Sequence, residues 1–511
     1  MFALPSSATA LRRATAFALC LGIAAPALPQ NAPLPAPLPD LGDASESTLS
    51  RSAERALGRE TMRSARAQGA VLDDPEVNDY LQTLGQRLVA ADPTINEKFE
   101  FFAVGASEIN AFALPGGHVG VNTGLMLAAQ SESELASVLA HEISHVSQHH
   151  IARQYAAQTR AGYASLAAML LAIIAGGRGD VAIAAITGAN AAHAQAAINY
   201  TREHEHEADR VGFTLLERAG FDPRAMASFF ERLQQQTRIL DGNAPVWLRT
   251  HPLTQTRIAE AQDRAFDKTY RQVPDSREFH MVRALLRSYE GEAGQAVARL
   301  ASELKEGRYR DRTAARYGHA AALLRAKDFV RARSEVEALE RDGMRHPMIE
   351  ALAGLILQQS RDYAGAIARY EAALKRYPDH LQLVYDYPRT LLLAGDPARA
   401  VRFAEDRLLR RANDGDLHQM AAEGYAALGQ PMQSHYHQGE YYAAQGNTKG
   451  AIEQLELATR MRGGDYRVML IAESRLRELR EQQREVLKTG RASTSAALSA
   501  RPTSLRAFTR D

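Results

Sequence analysis

Apolar residues recur three and four apart through SAERALGRETMRSARAQG and DDPEVNDYLQTLGQRLVAAD, from about Ser47 to Asp92. That spacing predicts two amphipathic helices. Asp73 or Asp74 can cap the second, with Pro75 in its first turn. The period changes over residues 99–124, FEFFAVGASEINAFALPGGHVGVNTG, a stretch rich in Phe and Val and broken by Pro115-Gly116-Gly117. Short strands around a turn fit it. The helical period returns from Ser131 to His150, where Ser131 and Glu134 make a capping box.

Two further patterns follow. Residues 161–198 are rich in Ala, Leu and Ile, and Ala161–Gly176 is almost wholly apolar before Arg178 and Asp180 interrupt it. The run stops short of the roughly 20 apolar residues a span needs. It reads as buried or surface-lying helices, or as a lid or membrane-touching hairpin. Beyond about residue 276 the chain becomes repetitive. MIEALAGLILQQSRDYAGAIARYEAALKRYP places Gly354, Ala366, Tyr370 and Ala373 at the small and aromatic positions of a tetratricopeptide repeat. Ala332 and Ala400 stand 34 residues either side of Ala366, and Ala451 lies 51 past Ala400, one repeat plus an extra helix. Residues 276–480 are therefore expected to form an α-solenoid, whose paired helices share one continuous core. From 481 to 511 the chain is polar and reads as a disordered tail.

Composition narrows the function classes. The 511 residues exceed one core, at about 150 residues per domain. Lys and Arg number 61 against 60 Asp and Glu, which disfavours a nucleic-acid scaffold. The one cysteine, Cys20, excludes an internal disulfide and a cysteine-ligated zinc or iron–sulfur site within one chain. It lies in a leader-like segment: Arg12 and Arg13, then the short apolar run Ala14–Ala25, then Ala25-Pro26-Ala27 as a small-x-small cleavage site. Residues 1–27 thus read as a signal peptide. Residues 28–45 read as a proline-rich linker.

Any metal site must then use histidine and carboxylate, and His141-Glu142-Ile143-Ser144-His145 supplies both on a predicted helix. Residues four apart share a face, so both imidazoles can meet one ion. Glu142 sits one position round, placed for acid–base work on water. A catalytic zinc takes three protein ligands and keeps an open position. A third histidine at the metzincin spacing is missing, because residues 148 and 151 are Gln148 and Ile151. YTREHEHEADRVGF offers Glu203, Glu205 and Glu207, of which only Glu205 starts an E-x-x-A-D run ending at Asp209. Glu205 can bind the metal while Asp209, on the same face, accepts the second N–H of a ligating histidine.

HEISH and REHEHEADRVG, with NAFALPGGHVGVNTGLM upstream and THPLTQTRI downstream, resemble the zinc metallopeptidase family of the CAAX prenyl endopeptidases and the bacterial heat-shock membrane protease. The four blocks match in order and spacing across about residues 46–270. With a leader and a repeat array, the chain is similar to the periplasmic branch of that family. The resemblance implies a mostly α fold: a gluzincin-like zinc metalloprotease domain of helices with a small β-sheet, followed by the tetratricopeptide solenoid. It implies His141, His145 and Glu205 as ligands of one Zn2+ per chain, and Glu142 as the catalytic acid/base. It places His251 near the metal, either to stabilise the oxyanion or to occupy the open position and hold the enzyme latent.

The expected activity is that of a Gram-negative periplasmic zinc endopeptidase. The resemblance suggests unfolded or stalled outer-membrane proteins as substrates, and docking on the β-barrel assembly machinery through the repeats. Residues 161–198 are the candidate for peripheral membrane contact, and no nucleic-acid partner is expected. The alternative is a periplasmic chaperone or assembly scaffold with a latent protease site.

Overall fold

The computed structural model describes residues 50–156, 202–239, 245–266, 268, 272–461 and 464–499. The leader and linker expected over 1–45 and the apolar segment 161–198 lie outside those residues. No helix among the described residues is long and apolar enough to cross a membrane.

Helix α1 (Arg51–Ala67) is capped by Ser50, and α2 (Pro75–Val89) by Asp74, whose side chain accepts from the Val77 amide. Three strands follow: β1 (Glu100–Val104), β2 (Ala111–Leu114) and β3 (His118–Asn122). The order is β1-β3-β2, with β3 parallel to β1 and antiparallel to β2. The tight turn between β2 and β3 uses Gly116 and Gly117, both at positive φ. After α3 (Thr123–Ala128) comes α4 (Glu132–Ser147), which carries the HExxH run; its N-cap Ser131 accepts from the Glu134 amide. The remaining helices of this part are α5 (His150–Ala156), α6 (Arg202–Arg218), α7 (Ala225–Ile239), α8 (Val246–Thr250) and α9 (Gln255–Phe266).

Helices then succeed one another from α10 (Arg277–Tyr289) to the last, Tyr466–Ser499. Ala332, Ala366, Ala400 and Ala451, the repeat anchors, have no exposed surface. At Gly354 an added Cβ would fall 2.3 Å from the Tyr370 ring, so paired helices approach there as closely as a glycine permits. The fold is thus the expected one, a helical domain with a small sheet followed by a helical repeat array. The last helix runs on past 481, where the sequence reading puts a disordered tail. Its Glu, Gln, Arg, Leu, Lys and Ala residues are all strong helix formers.

The two parts share one apolar core, running from Val77 in α2 to Ile356 in the repeats. Phe279 in α10 is wholly buried, and such a side chain contributes about 1.5–3 kcal/mol. Polar groups seal the same seam. Ser276, the N-cap of α10, donates from its hydroxyl to Glu132 Oε1 at 2.6 Å, and Asp275 Oδ1 accepts from the Glu132 amide at 2.7 Å. Glu132 lies in the first turn of α4 and also accepts from the Tyr80 hydroxyl of α2 at 3.0 Å. The start of the HExxH helix is therefore capped in part by Asp275, just ahead of α10.

Candidate metal centre

Helices α4 and α6 pack with their backbones nearly touching. Ala208 is fully buried, and one turn on an added Cβ at Gly212 would stand 3.1 Å from the backbone of Ala140 and His141. Only small residues allow that approach, and it brings Glu205 up to the two histidines. His141, His145, Glu205 and His251 gather in one buried group, each offering a ligand atom within 4.8 Å of the others. His141 Nε2 lies 3.0 Å from His145 Nε2 and 3.3 Å from His251 Nδ1. Glu205 Oε1 lies 3.0 Å from His251 Nδ1 and 3.4 Å from His145 Nε2.

The donor set fits a metal ion. His141 Nδ1 faces Asp209 Oδ1 at 3.0 Å, and His145 Nδ1 faces His150 Nδ1 at 2.8 Å. With each Nδ1–H turned outward, both Nε2 lone pairs point at one spot, an arrangement that calls for a cation between them. Two imidazoles, a carboxylate and no thiolate is the chemistry of a zinc or similar divalent site. Glu142 has no exposed surface, and its Oε2 has no hydrogen-bond partner; its Oε1 accepts from the Trp247 indole N–H at 3.1 Å. An unpaired buried carboxylate oxygen is costly unless water or substrate completes it.

The surrounding charges hold these groups in their states. Burial alone would raise the Glu205 carboxyl, but His251, His145 and Arg257 hold it well below the usual range. Burial pushes the His145 imidazole well down, toward the neutral form a metal requires. Burial opposes charge on Asp209 as well, yet Arg257 and His141 keep its carboxyl low. Arg257, 1% exposed, grips Asp209 with two bonds, Nε to Oδ2 at 2.7 Å and Nη2 to Oδ1 at 2.9 Å. Its Nη1 lies 2.7 Å from Glu205 Oε2, close enough for an ion pair although the angle is not that of a hydrogen bond.

All six residues singled out from the sequence (His141, Glu142, His145, Glu205, Asp209 and His251) thus lie together. Three others belong to the same site. His150, which the helical period places at the end of the HExxH helix, is fully buried behind His145. The helix stops at Ser147, His149 takes φ 53°, and the chain turns His150 inward. Its Nε2 meets Glu207 Oε2 at 3.1 Å, and its ring stacks on His204 with centroids 4.3 Å apart. Trp247, 1% exposed, stacks on His251 while bonding Glu142. Arg257 supplies the fork on Asp209. No local spacing announces His150 or Trp247, whereas Arg257, within the THPLTQTRI block, is open to the sequence reading as a partner for a site carboxylate. His149 approaches Glu97 at 3.7 Å and His206 pairs with Glu260, both away from the cluster.

Comparison with known proteins gives the family. The family model described as peptidase family M48 matches residues 75–265, and a tetratricopeptide repeat model matches residues 357–424. A putative beta-barrel assembly-enhancing protease of Vibrio cholerae is 36% identical over 445 residues, covering 85% of this chain and 90% of its own. The beta-barrel assembly-enhancing protease of Escherichia coli K12 is 34% identical over 449 residues, 86% of this chain and 90% of its own. A mitochondrial metalloendopeptidase of Schizosaccharomyces pombe is 30% identical over 184 residues, 36% of this chain and 52% of its own. The chain is accordingly a metalloprotease with tetratricopeptide repeats, and it belongs to peptidase family M48, on the branch of the beta-barrel assembly-enhancing proteases.

Proposed function

We propose that this chain is a periplasmic zinc endopeptidase that cleaves outer-membrane β-barrel proteins whose assembly has stalled, with His141, His145 and Glu205 as metal ligands. The observation that carries the reading is the convergence of two imidazole nitrogens on one carboxylate beside the unpaired Glu142 Oε2: His141 Nε2 and His145 Nε2 are 3.0 Å apart and lie 3.6 Å from Glu205 Oε2 and 3.4 Å from Glu205 Oε1, respectively. The leader-like first 27 residues and the relatives' names support the compartment and the client class.

Zinc, when bound, would supply Lewis acidity at the scissile carbonyl and acidify a water. The chain's own residues do the rest. Glu142 takes a proton from the attacking water and delivers it to the leaving amine, the Trp247 N–H fixing which oxygen is free. Asp209, held by Arg257, fixes the His141 ring through Nδ1. Strand β2 pairs only with β3 among the described residues, so its other edge can accept a substrate backbone as an added strand. The Trp247 amide donates to Ile109 O at 3.3 Å, which ties α8, the helix that leads into His251, to the residues just before β2.

The test is Glu142→Gln in the full chain, with an unfolded outer-membrane barrel protein as substrate. Metal content should stay at one zinc per chain while cleavage falls about 10²–10⁴-fold. Unchanged cleavage would sink the mechanism. Stoichiometric zinc retained in Glu205→Gln would mean that another residue is the third ligand. A second reading, a latent protease acting mainly as an assembly scaffold, is favoured by His251, whose Nδ1 sits among the ligand atoms where the open position would be. His251→Ala separates the two: latency requires it to raise cleavage, an oxyanion role requires it to lower cleavage.

A further inference from the structure

The two imidazoles of the HExxH helix are held from behind in different ways. His141 Nδ1 has the Asp209 carboxylate at 3.0 Å, a group that only accepts. The ring N–H therefore sits on Nδ1, and the lone pair on Nε2 is left for a metal. Behind His145 stands another imidazole, with His150 Nδ1 2.8 Å from His145 Nδ1. Two neutral imidazoles can share such a bond with the proton on either nitrogen, so the pair alone does not choose the donor. If His150 donated, the N–H of His145 would move to Nε2 and close that atom to a metal.

A third residue makes the choice. His150 has no exposed surface, so desolvation holds its ring neutral, with a single N–H. Its Nε2 lies 3.1 Å from Glu207 Oε2. Glu207 is partly exposed and paired with Arg153, and an ionised carboxylate only accepts. The N–H of His150 is thus on Nε2, and its Nδ1 is the acceptor. His145 must then donate from Nδ1, which turns its Nε2 lone pair toward the cluster. The local structure keeps this row aligned. The ring of His150 stacks on His204, with centroids 4.3 Å apart and planes at 13°, and His204 and Glu207 both come from the start of α6. Arg153, one turn beyond His150 in α5, places Nη1 2.9 Å from the same Glu207 oxygen.

We propose that Glu207 is a positioning residue of the peptidase centre: through His150 it fixes His145 in the tautomer that leaves Nε2 free for the metal. The proposal rests on the reading of His145 as a metal ligand. It gives Glu205 and Glu207, two residues apart on α6, separate duties, one toward the metal and the other toward a ligand of the metal. Asp209 does for His141 directly what Glu207 does for His145 across one more ring.

The probe is zinc alone, titrated into metal-free full-length protein against a chromogenic chelator. Glu207→Leu removes the acceptor and should weaken zinc binding about tenfold or more. Glu207→Gln keeps an oxygen, which the Arg153 donor holds toward His150, and should bind zinc more tightly than Glu207→Leu. A loss of charge alone would leave the Gln variant as weak as the Leu variant, and that result overturns the proposal. So does wild-type affinity in Glu207→Leu. The tautomer is read without a metal, by nitrogen NMR of protein labelled with 15N-histidine, the His145 signals being those lost in His145→Ala. Wild-type His145 should carry its proton on Nδ1, and Glu207→Leu should show a mixture. A proton on Nε2 in the wild type overturns the proposal, and that measurement needs no folded Glu207 variant. Zinc held as tightly by His145→Ala as by the wild type would instead sink the ligand assignment, and this proposal with it.

Discussion

Arg257 is the cation on which the buried acids of the metal centre depend. It is 1% exposed, Asp209 is fully buried and Glu205 is 2% exposed. Three contacts of 2.7–2.9 Å join the guanidinium to the two carboxylates. Arg257→Met keeps the stem and removes the charge, leaving two buried acids with only histidines to face. Breaking a buried pair in this way costs about 3–5 kcal/mol. At about 2–4 °C per kcal/mol for a unit of 150–250 residues, metal-free protein should unfold on the order of 10 °C lower. Arg257→Lys keeps the charge but loses the two-pronged fit on Asp209, so it should fall between wild type and Met. The assay is built in. Trp247 is the chain's one tryptophan, is buried, and stacks on His251, so its fluorescence reports unfolding at the site itself. A Met variant within about 1 kcal/mol of wild type would refute the reasoning, because typical surface pairs are worth no more than that. A Lys variant no better than Met would show that packing, not charge, is what Arg257 provides.

Two further outcomes follow from single residues. His150→Phe preserves a buried ring but removes the nitrogen that faces His145 Nδ1, so zinc affinity should drop about 10–100-fold in a competition titration with a chromogenic chelator; unchanged affinity would leave His150 a packing residue only. Burial lifts the Asp386 carboxyl to about 6, above its unfolded value of about 3.9, so the fold favours the protonated form. Its contribution is present in full below the lower value and is lost as pH rises through the upper one. Asp386→Asn should therefore exceed wild type in urea stability at pH 8, by up to about 3 kcal/mol, and match it near pH 4; an equal gap at both would contradict the assignment.

The metal centre was legible wherever its geometry is local. His141 and His145 stand one turn apart on one helix, as do Glu205 and Asp209, and helical periodicity alone aligns each pair. The repeats were legible for a similar reason, since Ala332, Ala366 and Ala400 mark helix contacts at a constant spacing. His150 was not, because the helical pattern runs through Gln148 and His149 without a glycine to announce the left-handed turn at His149. Trp247 was not, because its partner Glu142 is 105 residues away. The site residues contributed by long-range pairing carry no period, and only the fold brings them together. The seam ahead of α10 is of the same kind: nothing around residue 276 signals that Asp275 caps the HExxH helix or that Ser276 bonds the Glu132 carboxylate.

That seam has a consequence in time. Helix α2 and the start of α4 lie early in the chain, yet the groups that cover and cap them arrive much later: Asp275 and Ser276, Phe279, and Tyr289, whose hydroxyl reaches back 215 residues to Asp74. The shared core closes only with residues as late as Ile356. A chain emerging from its amino end would present every ligand of the metal cluster well before it could bury the helices that hold them. Assembly of a rigid catalytic centre would then wait until the residues from Asp275 to Ile356 have arrived to cap and cover it.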